Sequence, residues 1–180
     1  MEDVELYGGI YDFIKDFVQP KYDNESLPVF TYESKMTISQ GNEEIELYNF
    51  GKAHTDGDSV VVFKNNNVIH TGDAFVRYGY PYVDLNNGGS IKGLIDFLGT
   101  LELLCDDNTI IIPGHGGLSK KEDVTNLKNT LDDLYTKTII GLKNGLSYRE
   151  ISDSIDETLN GDTIVKLNYI KSIELELSRN

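Results

Sequence analysis

Apolar residues recur along this chain in distinct rhythms, and each rhythm predicts a different element. In residues 6–18, LYGGIYDFIKDFV, they fall at Ile10, Phe13, Ile14, Phe17 and Val18, a helical spacing that Pro20 ends. Residues 27–50 predict two or three strands with a turn at Gly41-Asn42. The runs SVVVF (59–63) and NTIIIP (108–113) are continuously apolar, as suits strands buried on both faces. KNNN then turns the chain, and VIHTGD (68–73) predicts a strand partnering SVVVF.

The helical rhythm returns after residue 89. Ser90 is placed to cap a helix running to about Cys105, with Ile91, Leu94, Ile95, Leu98 and Leu101 on one face. Residues 119–143 and 147–158 read as two more helices. Each is opened by a serine (Ser119, Ser147) with an acidic residue three positions later (Glu122, Glu150). Residues 161–179 predict a final helix, although their β-branched residues weaken its propensity. Between these elements, residues 74–89 are aromatic, glycine-rich and irregular, a long loop of the kind that carries function. The order strand-rich, then mixed, then helical predicts an α+β fold: a mixed sheet covered by helices.

Length and composition narrow the partners. At 180 residues the chain fits one domain with a real core. Its 16 basic against 30 acidic residues give a net charge of −14, which repels nucleic acid and anionic membrane and leaves a small-molecule substrate as the expected partner. No apolar stretch approaches the roughly 20 residues of a membrane span, and MEDVELYGG lacks the features of an export signal. The compartment stays open, with the cytoplasm as the default. The lone Cys105 excludes an internal disulfide.

Three strand ends carry the candidate chemistry. His54 precedes SVVVF, Asp73 follows VIHTG, and His115 closes IIIPGHGG among glycines. Neighbouring strands would bring these ends to one rim of the sheet, where imidazole and carboxylate suit zinc, iron or manganese. Thr55 and Thr71 are placed to support the ligands. Any one of these motifs alone most often marks a turn, so the weight rests on the three together. His70 reads better as a satisfied sheet histidine, and Asp56 and Asp58 as turn residues. The aromatics of RYGYPYVDL are equally suited to lining a cleft and to packing a lid.

AHTDGDSVVVF, NVIHTGDAF, YPYVDLNNGGSI and IIIPGHGGLS, in this order, resemble the second half of a metallo-β-lactamase-fold hydrolase, in register from about Leu27 to about Gly145. The resemblance implies a partial αββα sandwich over residues 1–180, truncated at its N-terminus, with 146–180 as a helical C-terminal extension. It implies that His54 is a ligand of a first metal ion, Asp73 a carboxylate bridging two ions, and His115 a ligand of the second. One or two zinc ions are expected in an intact relative, where metal-bound hydroxide would attack an ester, thioester, lactone or amide. Asp73 stands where some true β-lactamases of this fold have cysteine, which argues against that activity. The family's His-x-His-x-Asp-His signature is absent: the chain's three histidines are His54, His70 and His115. The expectations are therefore a metal-dependent hydrolase that needs a missing N-terminal half and is inactive alone, or a noncatalytic remnant serving as a binding module. In either case zinc binding should be weak, and the exposed sheet should favour self-association.

Overall fold

Hydrogen-bonded hairpins build most of the sheet, and one crossover completes it. The computed structural model describes residues 4–5, 18–19, 25, 27–155, 159 and 163–179. They belong to two units, Met1–Tyr32 and Glu33–Asn180. In the first, strands β1 (Val4–Glu5) and β2 (Val18–Gln19) pair antiparallel. The helix predicted over 6–18 therefore fails at Val18, which pairs as a strand; residues 6–17 lie outside the described residues.

The second unit holds a five-stranded sheet in the order β3-β4-β5-β6-β7. Strands β3 (Lys35–Gln40) and β4 (Glu43–Tyr48) form a hairpin about Gly41, whose φ of 64° favours glycine. β5 (Val60–Phe63) and β6 (Val68–His70) form a second, antiparallel hairpin. β7 (Ile110–Ile112) then joins β6 in parallel. A parallel neighbour cannot be reached by a tight turn. The intervening chain carries the 74–89 loop and helix α1 (Ile91–Leu104) over the sheet.

Three further helices follow: α2 (Lys121–Lys143), α3 (Tyr148–Asp153) and α4 (Thr163–Arg179). Ser90 and Ser147 cap α1 and α3 as the spacing predicts, with Ser90 Oγ accepting from Gly93 N. Ser119 does not cap α2. It exchanges two backbone hydrogen bonds of 2.9 Å with Ile111, and the helix begins two residues later. The Asp123 carboxylate accepts from Lys120 N instead. Helix α3 ends at Asp153, short of its predicted end, and residues 156–158 lie outside the described residues.

The strand register decides which residues enter the core. Val62, Ile69 and Ile111 are aligned across three strands, and Ile69 and Ile111 are buried beneath Leu94, Leu98, Leu101, Leu131 and Leu134. Ile151, Tyr169, Ile170 and Ile173 bring α3 and α4 into the same core. The other sheet face carries Met36, Leu47, Val61, His70 and Ile112 in one row and Ile38, Ile45, Phe63, Val68 and Ile110 in the next. None of these is fully buried, and Ile110 is 44% exposed. Among the described residues, the helices pack on one face of these strands, and the residues of the other face are half-buried or exposed.

Candidate metal centre

Sheet topology brings two of the three predicted ligands together, and the 74–89 loop supplies the setting for the third. After β6, Gly72–Ala74 forms one 3-10 turn that carries Asp73. Thr71 N donates to Ile112 O at 3.1 Å, so this turn is fastened to the end of β7. Gly114 N then donates to both Gly72 O (2.9 Å) and Phe75 O (3.1 Å). A Cβ at Gly114 would lie 2.1 Å from Asp73 Oδ1, so glycine is required for the carboxylate to sit where it does. His115 follows directly. Its Nε2 is 3.3 Å from Asp73 Oδ1, and its carbonyl accepts from Arg77 N at 3.0 Å.

His54 faces the other oxygen of the same carboxylate, with Nε2 3.9 Å from Asp73 Oδ2. Its Nδ1 lies 2.8 Å from Tyr82 O. A carbonyl only accepts, so Nδ1 carries a proton toward Tyr82, and Nε2 is the ring nitrogen that faces Asp73. The His54 side chain is 22% exposed, against 41% for Asp73 and 58% for His115, so the group opens to solvent on the His115 side.

These separations fit a partial two-ion arrangement. Ligands at zinc–ligand distances of about 2.0–2.1 Å in a tetrahedron stand roughly 3.3 Å apart, which is the His115–Asp73 spacing. His54–Asp73 is somewhat wider. Each imidazole addresses its own carboxylate oxygen, and among the described residues no three ligand-type side chains converge on one point. What the geometry shows is one carboxylate, Asp73, with an imidazole Nε2 near each of its two oxygens.

The neighbouring residues sort clearly. His70 lies on the open sheet face, and its Nδ1 accepts from Gly72 N at 3.1 Å, a satisfied sheet histidine. Asp58 holds its own turn, accepting from Thr55 N (2.9 Å) and Thr55 Oγ1 (3.2 Å). Thr71 Oγ1 bonds backbone carbonyls of the turn and of Ile112. Burial pushes the Cys105 thiol up to about 11, and its Sγ donates to Leu101 O, so it offers no thiolate near neutrality.

The aromatic loop divides by alternation. Tyr80 is buried against the Tyr169 ring, with centroids 5.3 Å apart, whereas the Tyr82 and Tyr78 rings stand edge-on to His54 (5.7 Å) and His115 (5.6 Å). One tyrosine anchors the loop and its two neighbours flank the candidate ligands. Sequence reasoning missed the Tyr82 carbonyl, and it read Gly114 as room beside His115 rather than as clearance for the Asp73 carboxylate. The only signal for either was indirect: tyrosines at every second position, and a glycine before His115.

Comparison with solved structures yields three matches of interest. A double mutant of a sec-alkyl sulfatase aligns with a TM-score of 0.63 at 13% identity, covering 83% of this chain and 27% of that one. A metallo-β-lactamase from Pontibacter korlensis aligns with a TM-score of 0.52 at 17% identity, covering 61% of this chain and 51% of that one. The fold is metallo-β-lactamase-like. A stereoselective inverting sec-alkylsulfatase from Pseudomonas sp. gives a TM-score of 0.62 at 13% identity, covering 82% and 26%. At these identities the likeness is one of fold. The chain spans about a quarter of the length of the alkylsulfatases and about half of the β-lactamase. No protein-family model matches the sequence, and no curated protein does. Within the metallo-β-lactamase-like fold, the mixed sheet and its helices agree with the α+β architecture read from the sequence. No helix among the described residues is long and apolar enough to cross a membrane.

Proposed function

We propose that this chain contributes His54, Asp73 and His115 to the metal centre of a metallo-β-lactamase-fold hydrolase, acting on a small-molecule ester, thioester, lactone or amide. One observation carries the reading: two imidazole Nε2 atoms flank the two oxygens of a single carboxylate, at 3.9 and 3.3 Å. Zinc is the ion best suited to that donor set. Bound there, it would supply Lewis acidity and activate water near neutral pH. The chain's own contribution is positional. Tyr82 O holds the His54 ring by Nδ1, Gly114 admits the Asp73 carboxylate, and the Tyr82 and Tyr78 rings stand edge-on against His54 and His115.

With two ligands per ion among the described residues, catalysis would need further ligands from another part of the fold. That same ligand count supports a second reading, a noncatalytic module that binds metal weakly. Zinc titration by calorimetry tests the site common to both. Binding should fall sharply in His115→Ala and survive in His70→Ala. The reverse pattern would remove the site assignment.

A further inference from the structure

Helix α4 reaches back to the loop that holds His54. Glu176 is 8% exposed, and its carboxylate accepts from Ser90 Oγ at 2.6 Å and from Ile91 N at 2.9 Å. Ile91 N is one of the donors that the start of α1 leaves without an intrahelical partner, and a carboxylate there also complements the helix dipole. Ser90 N donates in turn to Ala53 O at 3.0 Å, one residue before His54. Close backbone packing makes this junction stiff. A Cβ on Gly93 would lie 2.2 Å from Lys52 O, and one on Gly89 would lie 2.4 Å from His54 O.

One helical turn further along α4, Arg179 donates to Leu85 O at 2.8 Å. The turn it grips contains Asp84, whose backbone N donates to His54 O at 2.8 Å and whose carbonyl accepts from Gly89 N at 2.8 Å. The segment between Tyr82 and Ser90 is thus held from outside by Glu176 and Arg179 and bonded on its inside to the His54 backbone and ring.

We infer that Glu176 is a positioning residue for His54: it fixes the start of α1 against residues 52–54, keeping the His54 ring on the Tyr82 carbonyl with Nε2 facing Asp73. Arg179 assists from the exposed surface. The inference rests on the metal reading only for its purpose, because the ring's tautomer can be read without metal.

The test uses the full 180-residue chain in two measurements. In the isotope-labelled, metal-free protein, the two-bond proton–nitrogen spectrum of the imidazoles should show His54 in a single Nδ1-protonated form, assigned by its loss in His54→Ala. Glu176→Ala should replace that signature with averaged tautomers, Glu176→Gln should restore it in part through its one acceptor oxygen, and Arg179→Ala should weaken it less. Zinc affinity should fall about ten-fold in Glu176→Ala, as for other groups that hold a ligand in place. Ile173→Val, a core change on the same helix, serves as the control for general destabilisation. The inference is overturned if Glu176→Ala keeps the single-tautomer signature, or if Ile173→Val disturbs it equally. If His54→Ala leaves zinc binding unchanged, the metal reading fails instead, and the spectrum still decides the role of Glu176.

Discussion

Gly114 lies against the carboxylate of Asp73 so closely that an added Cβ would stand 2.1 Å from Oδ1 and 2.7 Å from Gly72 O. Gly114→Ala should therefore push Asp73 out from between the two imidazoles. We expect a loss of stability of roughly 1–3 kcal/mol, as for other overpacked sites, and zinc affinity lower by at least about ten-fold. Gly117, with nothing within 4 Å of its Cβ position, provides the control, and Gly117→Ala should change neither quantity. Urea denaturation and calorimetry on both variants check this. Equal behaviour of the two would show that the Gly114 contact is not restrictive.

The chain alone should hydrolyse no ester, lactone, thioester or β-lactam above the rate of free zinc. On the proposed assignment each ion would have two ligands among the described residues, where a catalytic zinc ordinarily has three and an open position. Fusing the first half of an intact metallo-β-lactamase-fold relative should restore zinc-dependent turnover, and His54→Ala with His115→Ala should abolish it again. Turnover by the unfused chain that scales with protein and vanishes in Asp73→Asn would refute the ligand count.

Glu46, on the helix-covered side of β4, is nearly buried and should give the fold an acid-sensitive anchor. Hydrogen bonds from Lys35 Nζ (2.5 Å) and Tyr48 Oη (2.6 Å), with Lys64 beside them, lower its carboxyl to about 2 from an ordinary 4.5. A carboxyl lowered in the folded state stabilises above its unfolded pKa and loses that contribution as pH falls through its folded one. The wild type should thus exceed Glu46→Gln by roughly 1–2 kcal/mol at neutral pH. The gap should narrow from about pH 4.5 downwards and largely close near pH 2. Denaturant midpoints measured across that range check it; a gap independent of pH would mean that another interaction is being measured.

The open sheet face should drive association. Its two central rows are apolar apart from His70, and a surface of that kind favours burial against another chain. Net charge of −14 opposes aggregation but supplies no cover for Val61 or Phe63. Light scattering after size exclusion should find dimers or larger soluble species, and Phe63→Lys should shift them toward monomer. Amide exchange on residues 59–63 and 109–113 should be faster than in the fused protein. A sharp monomer at every concentration, with those strands strongly protected, would show that the face needs no partner.

Much of this fold was legible because the signals were local. Ser90 and Ser147 announced α1 and α3 through capping chemistry, and Gly41 announced the first hairpin. Ser119 misled for a physical reason: a serine before a helix also serves as a strand residue, and pairing with Ile111 took it. The runs at 59–63 and 109–112 suggested two covered faces, since composition records what surfaces a residue suits and not whether a second layer is present. His54, Asp73 and His115 stood out as strand ends. The elements that hold them did not, because a backbone carbonyl such as Tyr82 O has no side-chain signature and Glu176 is far away in sequence.

The parallel pairing of β6 with β7 has a consequence for the order of assembly. Asp73 and His115 lie at the ends of strands joined through the 74–89 loop and α1, so no local element holds both. Closing that long loop is entropically costly and must precede any reward from strand pairing. The two antiparallel hairpins can form early, yet the carboxylate meets its imidazole only when the crossover docks. Zinc added during refolding should therefore meet its site late and leave the first, fast phase unaccelerated. Metal affinity would then serve as a clock hand for the last step of folding.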